Sequence, residues 1–216
     1  MNTLKTITTV IALLITFGTS IGYAQTLAMK NPVSHILKNG STIIIAENQT
    51  IPKVFANLSF EVAGRYSSEK ATVQEVLITL LNQELMALDA GLSYSHKGIN
   101  LAAQSDNFEA SLQTMYAYIN APEFDQYALD KAKASVMTHL KAQDKYFPEV
   151  VNEYNIAKLT LADVNAYYNE INNPKHMVLT IAGNITPTAA KSIAKAAIDQ
   201  QKPVVDSNKN YLVSNN

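Results

Sequence analysis

From Lys53 to Leu88 the chain reads KVFANLSFEVAGRYSSEKATVQEVLITLLNQELMAL, and along this stretch its hydrophobic period changes once. Up to Ala63 the apolar residues alternate. Val54, Ala56, Leu58, Phe60 and Val62 fall on one face, the two-residue repeat of a half-covered β-strand. From Glu69 to Leu88 there is no Gly or Pro, and Val73, Val76, Leu77, Leu80, Leu81, Glu84, Leu85 and Leu88 follow the 3.6-residue repeat of a helix. Ser67 or Ser68 is placed to cap its start. Whatever flanks this stretch must therefore accommodate a strand passing directly into a long helix.

Upstream, Ser34–Gly40 and Ser41–Glu47 read as a β-hairpin, with Asn39-Gly40 expected to supply the positive φ angles of a tight turn. Thr42–Ala46 is a β-branched run suited to a heavily packed strand. Downstream, Asp89-Ala90-Gly91 stops the helix. Leu92–Gln104 reads as one strand and Ser105-Asp106-Asn107 as a cap, and Phe108, Leu112, Met115, Tyr116 and Ile119 share a helical face. Further helices are expected from about Phe124 to Lys145 and from Glu149 to Lys158. Thr160-Leu-Ala-Asp163 is a capping box, with Asp in place of Glu, opening a helix to Ile171. Met177–Ala182 is a strand, and Thr186-Pro187 starts a last helix. The order β-β-β-α-β-α-α-α-β-α predicts an α+β domain, a mostly antiparallel sheet with a helical layer on one face. A single domain is expected over 25–202, with a loose polar tail over 203–216.

The 216 residues carry 17 basic and 18 acidic side chains, and Arg65 is the only Arg. Such balance argues against a nucleic-acid partner, and phosphate clamps are scarce. The absence of Cys removes disulfides, thiolate nucleophiles and Cys-ligated metals. Residues 1–24, with Lys5, the apolar run Ile7–Phe17 and small residues at Gly22 and Ala24, have the three parts of a secretory signal peptide. Cleavage after Ala24 is expected, with an uncleaved anchor as the alternative. Export follows, to the periplasm or medium if the host is bacterial, with no stable membrane span left after cleavage.

Five elements, in order, resemble the M16 metallopeptidases, the insulinase, pitrilysin and mitochondrial processing peptidase family. Leu37-Lys-Asn-Gly40 before an Ile-rich strand is similar to the family's opening L-x-N-G. Phe60-Glu-Val-Ala-Gly-Arg-Tyr66 is similar to its next strand and turn, and Gly91-Leu-Ser-Tyr94 to a G-L-x-Y element of its noncatalytic half. Leu159–Val164 with Tyr167-Tyr168 resembles the L-T-x-x-D-V helix, and Val178–Asn184 the strand that follows. The resemblance implies one half of a two-half clamshell, completed by a second M16-like chain carrying H-x-x-E-H or by a second copy.

In active members the helix after the Gly-Arg-Tyr strand carries H-x-x-E-H, two zinc-binding His and a water-activating Glu. Here that alignment falls on Thr79-Leu-Leu-Asn-Gln83, so Thr79 and Gln83 stand for the ligands and Asn82 for the base. Thr and Gln are poor zinc ligands beside imidazole, and Asn cannot take a proton from water. The family's third ligand falls near Thr138-His139. No catalytic residue and no cofactor are therefore expected, and the chain reads as a noncatalytic binding or partner subunit. The alternative is a zinc-dependent endopeptidase, active as a heterodimer or through an atypical site built from His96, His139 and Glu84.

For Thr79, Asn82 and Gln83 the alternatives are a repurposed polar site and a solvated helix face. Arg65 could hold a peptide carboxylate or acidic partner, or pair with Glu69. Tyr94, Tyr167 and Tyr168 are candidates for peptide or partner contact, the helical pair Tyr167-Tyr168 weighed against packing. An exposed sheet edge could also take up an extended peptide.

Overall fold

The computed structural model describes residues 30–61, 67–89, 91–120, 122–172 and 177–199. The signal-like segment, Arg65 and the C-terminal tail lie outside these. Six strands form one sheet: β1 (Val33–Ile36), β2 (Thr42–Glu47), β3 (Lys53–Phe60), β4 (Leu92–Ser95), β5 (Gly98–Gln104) and β6 (Met177–Gly183). Their order across the sheet is β1-β2-β6-β3-β5-β4. Every pairing is antiparallel except β2 with β6. The helices are α1 (Ala71–Leu88), α2 (Phe108–Asn120), α3 (Gln126–Ala142), α4 (Glu153–Lys158), α5 (Leu161–Ile171) and α6 (Pro187–Asp199).

The alternation read in β3 places Val54, Ala56, Leu58 and Phe60 in the core. Ile43 and Ile45 of β2, Leu179 and Ile181 of β6, and Ile99 and Leu101 of β5 join them. Each such side chain contributes about 1.5–3 kcal/mol by leaving water. Helices cover this face: α1 lies against β4, α2 against β5, and α6 against β2. The other face carries Ser34, Ile36, Thr42, Ile44, Phe55, Asn57, Ser93, Asn100, Ala102 and Thr180, with Lys53 at the start of β3 as its charged residue.

Several local expectations need revision. The first hairpin is not a two-residue turn with two positive φ angles. Gly40 N–H donates to Leu37 O at 3.0 Å, Gly40 alone has φ of 89°, and the Asn39 carboxamide accepts from Ser41 N–H. Leu92–Gln104 is not one strand but a hairpin, turning at His96-Lys97 into Gly98, whose φ is 117°. Neither serine side chain caps the start of α1, because the chain enters it through a 3-10 turn over Ser68–Lys70. The capping box at Thr160 and Asp163 is present with both of its reciprocal bonds.

α1 is more deeply enclosed than its apolar stripe suggests. Besides Val76, Leu77, Leu80, Leu81 and Leu85, it buries Thr72, Gln74 and Glu75. The reason is tertiary: α3, α4 and α5 pack on the sides that a two-layer fold would leave wet. Thr72 donates its hydroxyl to Val150 O at 2.8 Å, fastening the segment before α4 across the helix.

Candidate functional site

α1, the helix that carries Thr79, Asn82 and Gln83, is thus enclosed by β4, α3, α4 and α5. Thr79 turns its hydroxyl back onto Glu75 O at 2.9 Å, the usual way a mid-helix Thr satisfies itself. Asn82 reaches out of the helix. Its Oδ1 accepts from Tyr94 N–H at 2.7 Å, while its Nδ2 donates to Tyr94 O at 2.8 Å and to Ile78 O at 3.0 Å. A single carboxamide therefore satisfies both main-chain groups of one residue in β4. Gln83 is half-buried beside it. Of the three, Asn82 is the one whose side chain ties α1 to the sheet.

Of the scattered metal candidates, the structure brings His96 to a carboxylate, but not to Glu84. His96 Nε2 lies 3.2 Å from Glu75 Oε1, and Lys145 Nζ lies 2.8 Å from Glu75 Oε2. Glu75 is only 5% exposed, so an imidazole and an ammonium group converge on a buried carboxylate. His139 pairs separately with Asp144, Nδ1 to Oδ2 at 2.7 Å. Glu84 faces Tyr118. Burial first, and the Glu84 charge second, push the Tyr118 hydroxyl up, and that hydroxyl has no hydrogen-bond partner. Among the described residues no group of three or more His, Asp or Glu side chains is placed to hold a metal ion.

Tyr94, Tyr167 and Tyr168 are buried. Tyr168 donates its hydroxyl to Ile119 O, stands edge-on to Phe124 at 5.3 Å, and has its pKa raised chiefly by burial. Tyr167 borders a groove of about 590 Å³ between the start of α1 and α4–α5, where Lys70 pairs with Glu170 and Val73, Val150 and Lys158 complete the walls. Packing, the alternative weighed for Tyr167 and Tyr168, is the role their placement displays. Arg65 falls outside the described residues. Sequence reasoning missed Glu75 and Lys145, and with 70 positions between them no local spacing could have signalled the pair.

The M16 inactive-domain family model matches residues 158–212. Within its described part lie α5, with the Thr160 capping box, and β6. No curated protein matches the chain by sequence. Among solved structures, a protease from Helicobacter pylori superposes with a TM-score of 0.68 at 12% identity, over 82% of this chain and 52% of that one. The periplasmic protease PqqL from Escherichia coli gives 0.65 at 14% identity, over 80% of this chain and 24% of that one. A peptidase M16 inactive domain from Pseudomonas fluorescens gives 0.64 at 15% identity, over 77% and 50%. The chain thus spans about half the length of two of these proteins and a quarter of the third. In its fold, and in the family match over its C-terminal portion, the chain is M16-peptidase-like, with an inactive M16 domain among its structural neighbours.

Proposed function

We propose that the chain is an exported, noncatalytic M16-like domain that works by binding a partner: a second M16-like polypeptide carrying H-x-x-E-H, or a second copy of itself. The observation that carries this reading is the fate of Asn82. At the position that the resemblance matches to the water-activating Glu of H-x-x-E-H, this chain has a carboxamide whose oxygen and nitrogen are both spent on Tyr94. Thr79 and Gln83 on either side supply no imidazole, and a neutral amide cannot accept a proton from water. Support for a partner comes from the share of the similar proteins that is covered: the chain matches a quarter of PqqL and about half of the other two, so half or more of such a molecule has no counterpart in it. Support for export comes from residues 1–24, and from PqqL being periplasmic.

The purified protein is expected to hold well under one zinc per chain by elemental analysis and to cleave no peptide. Affinity capture of the tagged protein from the host's exported fraction, read by mass spectrometry, is expected to return a stoichiometric M16 chain with H-x-x-E-H or a self-dimer. Chelator-sensitive proteolysis by the isolated chain would overturn the noncatalytic reading, and recovery as a monomer alone would overturn the partner role.

A further inference from the structure

We infer that the sheet accepts an added strand at one edge only, β1, and that the segment it takes is an extended stretch of a partner chain alternating acidic and apolar side chains. This rests on the partner-binding reading above and specifies where the contact is made.

Antiparallel neighbours exchange hydrogen bonds at alternate residues, so on an edge strand every second residue turns its N–H and C=O outward. On β4 the Ala102 N–H donates to Gly91 O at 3.0 Å, which sets the alternation: Ser93 and Ser95 face β5, while Leu92 and Tyr94 face away. These outward groups would normally invite another strand. Here Leu92 N–H is taken by Asp89 O at 3.0 Å, and both groups of Tyr94 are taken by Asn82. A strand arriving at β4 finds most of its ladder positions occupied.

The opposite edge is built differently. Leu37 N–H donates to Ser41 O at 2.8 Å, so Val33 and His35 face β2, while Ser34 and Ile36 turn their main-chain groups outward. Among the described residues these groups have no hydrogen-bond partner, and the Ile36 side chain is 79% exposed.

The two sides of β1 specify the guest. On the helical side, Lys191 Nζ lies 3.4 Å from His35 Nδ1, and Lys191 has no carboxylate partner among the described residues. A guest residue beside His35 meets this positive corner, which suits Asp or Glu. On the open side, a guest residue lies next to Ser34 and Ile36, with Thr42 and Ile44 one strand further in, an uncharged surface suited to an apolar side chain. Strand addition provides main-chain affinity, and the two sides provide the choice of sequence.

The test uses isotope-labelled protein and two synthetic peptides, an acetylated Val-Glu repeat and the matching Val-Lys repeat. The Val-Glu peptide is expected to shift the amide resonances of Ser34 and Ile36 and leave those of Leu92 and Tyr94 in place. The Val-Lys peptide is expected to bind roughly tenfold more weakly. Ser34→Pro deletes an N–H that points away from β2, so it should preserve the fold and abolish the shifts. Asn82→Ala should add a second set of shifts at Leu92 and Tyr94. Shifts at β4 in the unmodified protein, equal binding of the two peptides, or no shift at millimolar peptide would each overturn the proposal. Full recovery of a macromolecular partner by Ser34→Pro would do so too, while leaving the partner-subunit reading intact.

Discussion

Glu47 closes β2 with its carboxylate almost out of solvent, held by Lys30 Nζ at 2.9 Å and by the Gln49 carboxamide. The bond from Lys30 is the largest cause of a carboxyl pKa below its ordinary value; burial opposes the shift and the Gln49 bond adds to it. A group with a depressed folded pKa stabilises the protein at pH values above its unfolded pKa, and that contribution disappears as the pH falls through the folded pKa. Asp163 acts in the same direction, its carboxylate accepting first from the Thr160 hydroxyl and then from the Thr160 N–H. Urea midpoints measured from pH 7 down to about pH 3 should therefore fall. Glu47→Gln should flatten that fall, and an unchanged slope would remove Glu47 from the account. Gly183 shows a different constraint. Its φ is 138°, and a Cβ there would run into the Lys53 carbonyl, while its own carbonyl accepts from Asn48 N–H and Ile185 N–H. Gly183→Ala is expected to cost about 2 kcal/mol or more, read as a lower urea midpoint.

At the scale of elements, the junction of α1 and β4 depends on one side chain. Asn82→Ala removes the side chain that holds the N–H and C=O of the buried Tyr94, a loss of about 1–3 kcal/mol. Hydrogen exchange should show the Tyr94 amide opening far faster in that variant, with the Leu80 and Leu81 amides of α1 slowed or hastened only by the global change in stability. An unaltered Tyr94 rate would mean that something else protects it. The elements themselves were largely legible. The Lys53–Leu88 stretch announced its strand and helix because each buries one regular face. The capping box at Thr160 was legible because both of its bonds lie within four residues. The β4–β5 turn was missed because Ser95-His-Lys-Gly98 has no Asn-Gly or Asp-Gly signal, only a Gly one residue after the bend. The tie from Asn82 to Tyr94 could not be read either: it joins a helix to a strand across 12 positions, through a side chain that looked like surface. The buried Glu75 hid for the same reason, since its stripe on α1 is polar in sequence and its partners His96 and Lys145 come from distant segments.

For the whole molecule, the decisive feature is the place of β6. Its alternation identified it as a strand, yet nothing local indicated that it would enter between β2 and β3, parallel to one and antiparallel to the other. The expectation of a mostly antiparallel sheet left the order of its strands open. β2 and β3 do not touch as neighbours; each completes its ladder on a strand from the far end of the chain, as in the pairing of Ser59 with Val178, 119 residues apart.

That placement makes assembly a late event. A growing polypeptide that has reached the end of α5 already holds five strands' worth of β-forming sequence, but its sheet is split in two, with β1–β2 on one side, β3–β5–β4 on the other, and raw ladders facing the gap. Closing such a gap requires ends distant in sequence to meet, which slows folding and leaves sticky edges open in the meantime. The keystone arrives last. Until it does, the facing ladders of β2 and β3 stay unpaired, and loss of the chain from Met177 onward would leave two incomplete sheets where one should be.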